Sequence, residues 1–161
     1  MEPHANGVPA GASAVIPRLF CRDPAAEIEF CAAAFAARTL VRRPGPDGRI
    51  AHALLTIGPA MLMIESEWPQ IRNRAPAPDA SSPVALYLYI DDVDAAAARA
   101  AAAGATILMA AADQPWGDRT AWIMDPAGHV WTIATRLEET TADERAARLG
   151  TVGDETPTRH S

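Results

Sequence analysis

Residues 84–105 read VALYLYIDDVDAAAARAAAAGA, and this stretch decides the fold class. Its first seven residues alternate between an aliphatic set and a set containing Tyr87 and Tyr89, which predicts a β-strand with two different faces. The alanine-rich run from Asp92 to Gly104 predicts a helix. Three further strands are predicted at 106–111, 118–125 and 129–135. The order is therefore strand, helix, strand, strand, strand.

The first half of the chain repeats this order. A strand is predicted at 15–20, and a helix follows in which Asp23 is the N-cap and Pro24 the first helical residue. Two strands joined by a turn at 44–48 come next, and a last strand covers 60–66. An offset of about 69 to 70 residues superposes Asp23 on Asp92, Arg49 on Arg119 and Gly58 on Gly128. The sequence thus predicts a repeat of layout.

These elements define the expected organisation of the chain. We expect a flexible N-terminus at 1–13, module one at 14–67, a linker at 68–83 and module two at 84–137. A C-terminal helix is expected at 138–150, with Thr141 as N-cap, Glu144 at the capping-box position and Gly150 as the stop. Residues 151–161 are expected to form a flexible tail.

The charge balance disfavours nucleic acid and membrane partners. The chain has 14 basic and 20 acidic residues, a net charge of −6, and no basic cluster that would follow a phosphate backbone. No apolar run approaches the roughly 20 residues that span a bilayer, and we see no signal peptide. Cys21 and Cys31 are expected to be buried thiols. We therefore expect a cytoplasmic protein.

Five stretches, in this order, resemble one known superfamily: IPRLFCRDPAAEIEFC, PGPDGRIAHALLTIG, LYLYIDDVDAAAARAAAAGAT, DQPWGDRT and DPAGHVWTIAT. Together they are similar to the vicinal-oxygen-chelate superfamily of glyoxalases, bleomycin-resistance proteins and extradiol dioxygenases, and within it to the PhnB-like branch. The resemblance implies an α+β fold in which two βαβββ modules form a curved mixed sheet around a concave pocket. It also implies a homodimer.

The resemblance further implies where a metal would bind. Metal-using members take four ligands, usually His, Gln or Glu, from the first and fourth strands of each module. Carried over, these positions are Ile16, Leu62, Ala85 and Thr132. Such side chains do not supply the carboxylates or imidazoles that a divalent ion needs. A slip of one residue, which would bring in Met61 or Met63, does not help. We therefore expect no metal and no cofactor.

Strand alternation predicts what the pocket holds instead. His52, Tyr87, Tyr89 and Trp122 are expected at its edges, with Trp122 taking the place in module two that His52 has in module one. Leu62 and Ile16 are expected to form an aliphatic floor, and Arg18 shares a face with Ile16. Such a site suits a flat aromatic or conjugated ligand. The alternative is that these aromatic side chains fill the core.

His52 and Arg119 are candidates for catalysis, and Glu65 and Trp116 are candidates for ligand binding. His52 can act as a base or a hydrogen-bond donor, unless it is fixed in the core. Glu65 is placed to pair with His52 or an arginine, unless it lies at a solvated strand end. Arg119 can clamp an anionic group, unless it pairs with Asp118 in the loop. Trp116, in that loop, can cover the pocket mouth.

Three functions remain open. The first is a metal-free protein that binds a small organic molecule, in drug or metabolite sequestration or antibiotic resistance; an acidic surface would suit a cationic drug. The second is a metal-independent lyase, isomerase or cyclase with His52 as base. The third is a metal-dependent glyoxalase or dioxygenase with non-standard ligands.

Overall fold

The chain folds into two modules of the same layout, followed by a helix. The computed structural model describes residues 7–9, 12–77 and 82–152. Module one contains β1 (Arg18–Cys21), α1 (Pro24–Phe35), β2 (Arg38–Pro44), β3 (Ile50–Ile57) and β4 (Ala60–Ser66). Module two contains β5 (Ala85–Tyr89), α2 (Val93–Ala102), β6 (Thr106–Asp113), β7 (Asp118–Met124) and β8 (Val130–Arg136), and α3 (Ala142–Val152) follows. The predicted order of elements is confirmed.

The two module helices begin at equivalent aspartates. The Asp23 side chain accepts hydrogen bonds from the backbone N–H groups of Ala25 and Ala26, at 3.1 and 3.2 Å. The Asp92 side chain accepts one from Ala95 at 2.9 Å. Each cap satisfies donors that the first turn of a helix leaves free. The repeated aspartate of the sequence is therefore a repeated helix start.

Each module forms a four-stranded mixed sheet with the same topology. The strand orders are β1-β4-β3-β2 and β5-β8-β7-β6. The first strand of each module pairs in parallel with the fourth, and the remaining pairs are antiparallel. The edge strands are therefore β1 and β2 in module one, and β5 and β6 in module two. The structure is the glyoxalase fold, and the predicted α+β class with two βαβββ modules is confirmed.

The core lies where the helices cover the sheets. Helices α1 and α2 also pack against each other. Phe35 on α1 contacts Trp131 on β8, with ring centroids 4.9 Å apart. Arg99 Nε on α2 donates to the carbonyl of Ala34 at 3.2 Å. Both cysteines are free and buried, as predicted. These contacts join the two modules through their helix-covered sides.

The opposite side of each sheet carries the polar and aromatic side chains. On β3, Ala53, Leu55 and Ile57 are buried in the core, so the alternating residues His52 and Leu54 face the other way. We call this side the open face of the module. The strand residues on the module-one open face are Arg18, Phe20, Arg38, Val41, Arg43, His52, Leu54, Thr56, Met61, Met63 and Glu65. His52 therefore lies on the sheet face opposite the helices.

The segments outside the modules match the predictions in part. Thr141 and Glu144 form the predicted capping box: Glu144 N donates to Thr141 Oγ1 at 3.2 Å, and Thr141 N donates to Glu144 Oε2 at 2.7 Å. The helix runs to Val152, so Gly150 does not end it. The predicted linker contains a short 3-10 helix, Pro69–Ile71.

The predicted flexible ends fall largely outside the described residues. Of 1–13, the described residues are 7–9, 12 and 13, and 153–161 lie beyond the described part of the chain. Within the described ranges, no helix is long and apolar enough to cross a membrane.

Candidate functional site

A buried carboxylate joins two basic side chains on the module-one open face. Glu65 is 5% exposed. Arg18 donates two hydrogen bonds to it, from Nε to Oε1 at 3.1 Å and from Nη2 to Oε2 at 2.6 Å. The His52 Nδ1 atom lies 3.0 Å from Oε1. Strand pairing explains the cluster, because Glu65 lies opposite His52 on β3 and opposite Phe20 on β1. Glu65 pairs with the histidine and with an arginine, the two partners that the sequence left open.

The contacts of Glu65 favour its ionised form. Burial on its own would raise the pKa of Glu65, but the hydrogen bonds from Arg18 and His52 outweigh it and leave that pKa below its usual value. An ionised Glu65 accepts a hydrogen bond from the Nδ1–H group of His52, so in the neutral imidazole Nε2 carries a lone pair. Within the described residues, Nε2 of His52 has no hydrogen-bond partner. The ring is thus oriented with one free acceptor.

Module two has its own buried carboxylate, and aromatic side chains surround it. Asp118 is 1% exposed. Its Oδ2 accepts hydrogen bonds from Tyr87 Oη at 2.8 Å, Tyr89 Oη at 3.0 Å and Trp116 Nε1 at 3.1 Å. Arg136 Nε lies 3.1 Å from Oδ1 as an ion pair. One carboxylate therefore positions three aromatic rings.

This arrangement keeps the Tyr87 hydroxyl protonated well above neutral pH. Burial and the hydrogen bond to Asp118 raise the pKa of Tyr87 to about 12. The Tyr87 and Tyr89 rings lie 5.3 Å apart, and the Arg136 guanidinium lies 5.8 Å from the Tyr89 ring centroid. A groove of about 400 Å³ opens here, lined by these residues with Trp116, Asp118 and Arg145.

An apolar row crosses the open face of module two. Met109, Trp122, Thr132 and Tyr87 are successive cross-strand partners on β6, β7, β8 and β5. Tyr87 is 50% exposed and Trp122 43% exposed, whereas Thr132 between them is buried. The aromatic side chains predicted for the pocket therefore do not fill the core. They stand on an uncovered sheet face.

A second cleft lies at the edge of β1. It has a volume of about 430 Å³ and is mostly apolar, and Arg18, Phe20, Arg74 and His129 are among its lining residues. His129 Nε2 lies 3.2 Å from the carbonyl oxygen of Phe20. Burial lowers the pKa of His129. The neutral ring therefore acts as a hydrogen-bond donor between the modules.

The predicted orientation of Leu62 is wrong. Leu62 lies in the core beside Leu55, on the helix-covered side of the sheet, while Met61, Met63 and Glu65 face the other way. The repeat offset is not constant, because the β3–β4 connection is Gly58–Pro59 whereas residues 125–129 join β7 to β8. Strand pairing matches Thr132 with Met63, and Trp122 with Leu54 rather than with His52.

The predicted position of Arg119 beside the pocket is also wrong. Arg119 alternates with Asp118 along β7, so its side chain lies on the α2 side of the sheet. It donates to Asp94 at 2.7 and 2.9 Å and to Asp113 at 2.8 Å. Asp118 pairs instead with Arg136, its cross-strand partner on β8. The Asp118–Arg119 loop pair is therefore absent.

Arg136 is the residue that the sequence interpretation missed. It lies at the end of β8, on the same side as Thr132, and its Nη1 donates to the carbonyl of Trp116 at 2.9 Å. The alternation that placed Thr132 on the open face also reaches Arg136 four residues later. The predicted strand ended at residue 135, one residue before Arg136.

The comparisons with known proteins agree with this fold. The sequence profile of the Glyoxalase/Bleomycin resistance protein/Dioxygenase superfamily matches residues 13–133. The chain therefore belongs to this superfamily.

Particular relatives extend the match over most of the chain. The uncharacterized protein Mb0911c of Mycobacterium bovis is 39% identical over 144 residues, covering 88% of this chain and 95% of that protein. The structure of TioX from Micromonospora sp. ML1 is similar with a TM-score of 0.60 and 27% identity, over 78% of this chain and all of that one. A superfamily enzyme from Burkholderia phytofirmans PsJN has a TM-score of 0.61 and 24% identity, over 74% and 95% of the two chains.

The metal positions implied by the superfamily do not fit a metal here. With the observed register they are Ile16, Met63, Ala85 and Thr132. Two hydrocarbon side chains, a thioether and a hydroxyl lack the charge and the imidazole nitrogens that hold Zn²⁺, Fe²⁺ or Mn²⁺. Across residues 7–9, 12–77 and 82–152, no three His, Cys, Asp or Glu side chains are arranged to hold a metal ion.

Proposed function

We propose that the protein binds a small organic molecule with an aromatic or conjugated part, without using a metal at the superfamily positions. The observation that supports this most is the uncovered row of Trp122, Thr132 and Tyr87 on the module-two open face. A flat ligand stacking there removes apolar surface from water, and each aromatic contact adds about 0.5–1.5 kcal/mol. Drug or metabolite sequestration, including antibiotic resistance, is the role that we infer.

The hydrogen bonds around Asp118 give this face the rigidity that a binding site needs. Both tyrosine hydroxyls and the Trp116 indole converge on one buried carboxylate. Their rings are therefore held in position before a ligand arrives, which reduces the entropy lost on binding.

The first experiment is a titration with aromatic compounds followed by isothermal calorimetry, using wild type, Trp122→Ala and Trp68→Ala. Trp68 is 46% exposed but lies after β4, outside the module-two open face. We expect Trp122→Ala to weaken binding about tenfold, the effect of one lost stacked ring, and Trp68→Ala to leave it unchanged. Equal effects of the two variants would contradict the proposed site.

A second candidate function is metal-independent lyase, isomerase or cyclase chemistry. It is favoured by the Glu65–His52 hydrogen bond, which leaves Nε2 free to take a proton from a bound compound. Mass spectrometry of the recovered ligand decides between the two candidates. An unchanged compound supports binding, and turnover that is lost in His52→Ala supports catalysis.

The third candidate, a metal-dependent enzyme with other ligands, is tested by elemental analysis of untagged protein. We expect substoichiometric Zn, Fe, Mn and Ni. Near-stoichiometric metal that is lost in His52→Ala or Glu65→Ala would establish the third candidate instead.

We also propose a homodimer. The edge strands β2 and β6 expose Leu40 and Val41, and Ile107, Leu108 and Met109, respectively. A second copy is the partner that the superfamily fold suggests for such apolar edges. Light scattering at micromolar concentration should give twice the mass of 17.0 kDa. We further propose, from the sequence resemblance, that the chain belongs to the PhnB-like branch. We also propose a cytoplasmic location, because both thiols are free.

A further inference from the structure

We propose that the module-one open face binds the anionic group of an organic ligand, with Arg38 and Arg43 as its recognition residues. The inference rests on the proposed binding function and adds the chemical class of the ligand: a carboxylate, phosphate, phosphonate or sulfonate attached to an apolar body.

Strand register places Arg43 beside the His52 cluster and Arg38 on the same face, four residues further along β3. Arg43 is the cross-strand partner of His52, and Arg38 is the partner of Thr56. Both lie on the face that also carries Arg18 and Glu65. The side chains at Arg38 and Arg43 are exposed, and neither makes a hydrogen bond or an ion pair with another described residue. Two cationic donors are therefore available to a ligand.

The charge of this face is opposite to that of the whole chain. The net charge is −6, yet the strand positions of the module-one open face carry three arginines and one carboxylate. That carboxylate, Glu65, is already held by Arg18 and His52. Asp47 and Glu67 lie at the ends of the strands, where each accepts a backbone hydrogen bond, from Arg49 and Ala75. The excess positive charge on the strands favours an anion.

Protection of a sheet edge does not account for the arginines. Charged side chains on an edge strand do discourage strand pairing between molecules. However, β6 is the equivalent edge of module two, is equally exposed, and carries no basic residue between Thr106 and Asp113. Of β2 and β6, only β2 carries basic side chains, and two of its three arginines, Arg38 and Arg43, lie on the face that carries His52. Edge protection would apply to both strands, so it does not explain this difference.

The surrounding side chains define the rest of the ligand. Leu54, Met61 and Met63 lie between the arginines and β1 on the same face, and Phe20 lies beside Arg18, whose guanidinium carbon is 5.4 Å from the ring centroid. Flexible methionine side chains adapt to an apolar group of varied shape. The anionic group of the ligand would thus contact the arginines, and its apolar part would contact the neighbouring leucine and methionine side chains. Planar guanidinium groups bind carboxylate and phosphate oxygens through paired hydrogen bonds.

The test uses four probes with one naphthalene skeleton: 1-naphthylmethylamine, 1-naphthalenemethanol, 1-naphthylacetate and 1-naphthyl phosphate. Calorimetry with the full chain should show the two anions binding about tenfold more tightly than the alcohol, the factor for one charge-assisted hydrogen bond. The ratio between acetate and phosphate then distinguishes a carboxylate ligand from a phosphate ligand. Tightest binding of the amine would overturn the proposal.

Arg42 provides a matched control variant. It is the partner of Ala53, whose side chain is buried in the core, so Arg42 lies on the opposite side of the same strand. Arg38→Gln and Arg43→Gln should each weaken anion binding about tenfold and leave the alcohol unaffected. Arg42→Gln removes the same charge and should change neither. Equal losses of anion affinity in all three variants would indicate a general electrostatic effect of net charge and would overturn the proposed site.

Combining these variants with Trp122→Ala separates the two proposals. Binding that Trp122→Ala weakens, without preference for anions, overturns the anion site and supports the aromatic one. Anion binding that depends on Arg43 but not on Trp122 supports the anion site and contradicts the aromatic one. Absence of saturable binding by all four probes at millimolar concentration contradicts both.

Discussion

The two open faces have the same strand layout and opposite chemistry. Module one surrounds its buried carboxylate, Glu65, with Arg18 and His52 and adds two arginines that have no partner among the described residues. Module two surrounds its carboxylate, Asp118, with three aromatic donors and one arginine. The backbone repeat provides two platforms, and the side chains make one suited to charge and the other to stacking. Because the two modules share one topology, function in this fold depends on the side chains that each open face carries.

The two carboxylates also differ in what depends on them. Glu65 orients His52, whose Nε2 has no partner among the described residues. The contacts of Glu65 therefore set the chemistry that is open to His52. Asp118 is bound by four side chains from β5, β8 and the loop before β7. Its contacts hold a surface together. Substitution of the two residues should therefore differ in kind and in size.

The largest effect is expected at Asp118. Asp118→Ala leaves Tyr87, Tyr89 and Trp116 without their common acceptor and should lower the free energy of unfolding by about 3–5 kcal/mol, the usual result of breaking a buried charged network. Urea unfolding followed by circular dichroism measures this. Asp113→Ala, at an exposed carboxylate that pairs with Arg119, is the control and should cost under about 1 kcal/mol. A similar small loss in both variants would show that Asp118 does not organise the face.

A third buried acid, Glu27 on α1, sharpens the contrast because no cation is among its described contacts. Glu27 is 1% exposed and accepts a hydrogen bond from the Cys31 thiol at 3.4 Å. Its Oε2 atom accepts no hydrogen bond from the described residues. When this carboxyl group is protonated, it can donate a hydrogen bond to Asp125. Burial, with the nearby Asp125 carboxylate, raises the pKa of Glu27 to about 9. The pKa of Glu27, which has no cationic partner among the described residues, is thus raised, whereas the pKa of Glu65, which pairs with Arg18, is lowered.

The sign of this shift predicts an alkaline loss of stability. The folded state keeps the Glu27 proton while the unfolded chain releases it above its ordinary pKa of 4.5, so this contribution to stability falls between pH 4.5 and about 9. Glu27→Gln should abolish the fall and raise the free energy of unfolding by about 2–3 kcal/mol at pH 8. Thermal unfolding at pH 5 and pH 8 measures the difference. The exposed Glu29→Gln is the control, and a pH-independent effect of Glu27→Gln would contradict the assignment.

A smaller effect, with the opposite pH dependence, is expected at Glu65. Its lowered pKa means that its stabilising contribution is present above the ordinary carboxyl pKa and is lost as the pH falls below it. Glu65→Gln should cost about 1–2 kcal/mol at pH 7, the value of charge-assisted hydrogen bonds to Arg18 and His52. The difference from wild type should narrow near pH 3. A constant difference across this range would indicate that charge is not the source of the loss.

The sequence was sufficient for the fold because the relevant signals are local. Strand alternation in β3 and β5, and the aspartate caps of α1 and α2, depend only on neighbouring residues. The β4 register failed because it was transferred across turns of different length, and a shift of one residue reverses a strand face. Thus Leu62 lies in the core, and Met63 lies on the open face.

The site was predicted where one strand pair creates it. His52 and Glu65 are adjacent because β3 and β4 form a hairpin, which spacing along the chain reveals. Asp118 and Arg136 meet at the far end of the β7–β8 pair, 18 residues apart in sequence, and the tyrosines reach Asp118 from β5 across β8. Such contacts depend on the order of strands in the sheet, which alternation does not provide.

The smallest effect separates Arg119 from Arg136, the two arginines near the module-two carboxylate. Arg119 pairs with Asp94 and Asp113 on the α2 side, and all three side chains are substantially exposed, so Arg119→Gln should leave the free energy of unfolding almost unchanged. It should also leave the affinity for aromatic probes unchanged. Arg136→Gln removes the cation beside Asp118 and the Tyr89 ring, and should weaken probe binding severalfold. Calorimetry on both variants measures this. If Arg119→Gln weakened binding more than Arg136→Gln, the ligand would lie on the helix-covered side of β7, and the module-two open face would not be its site.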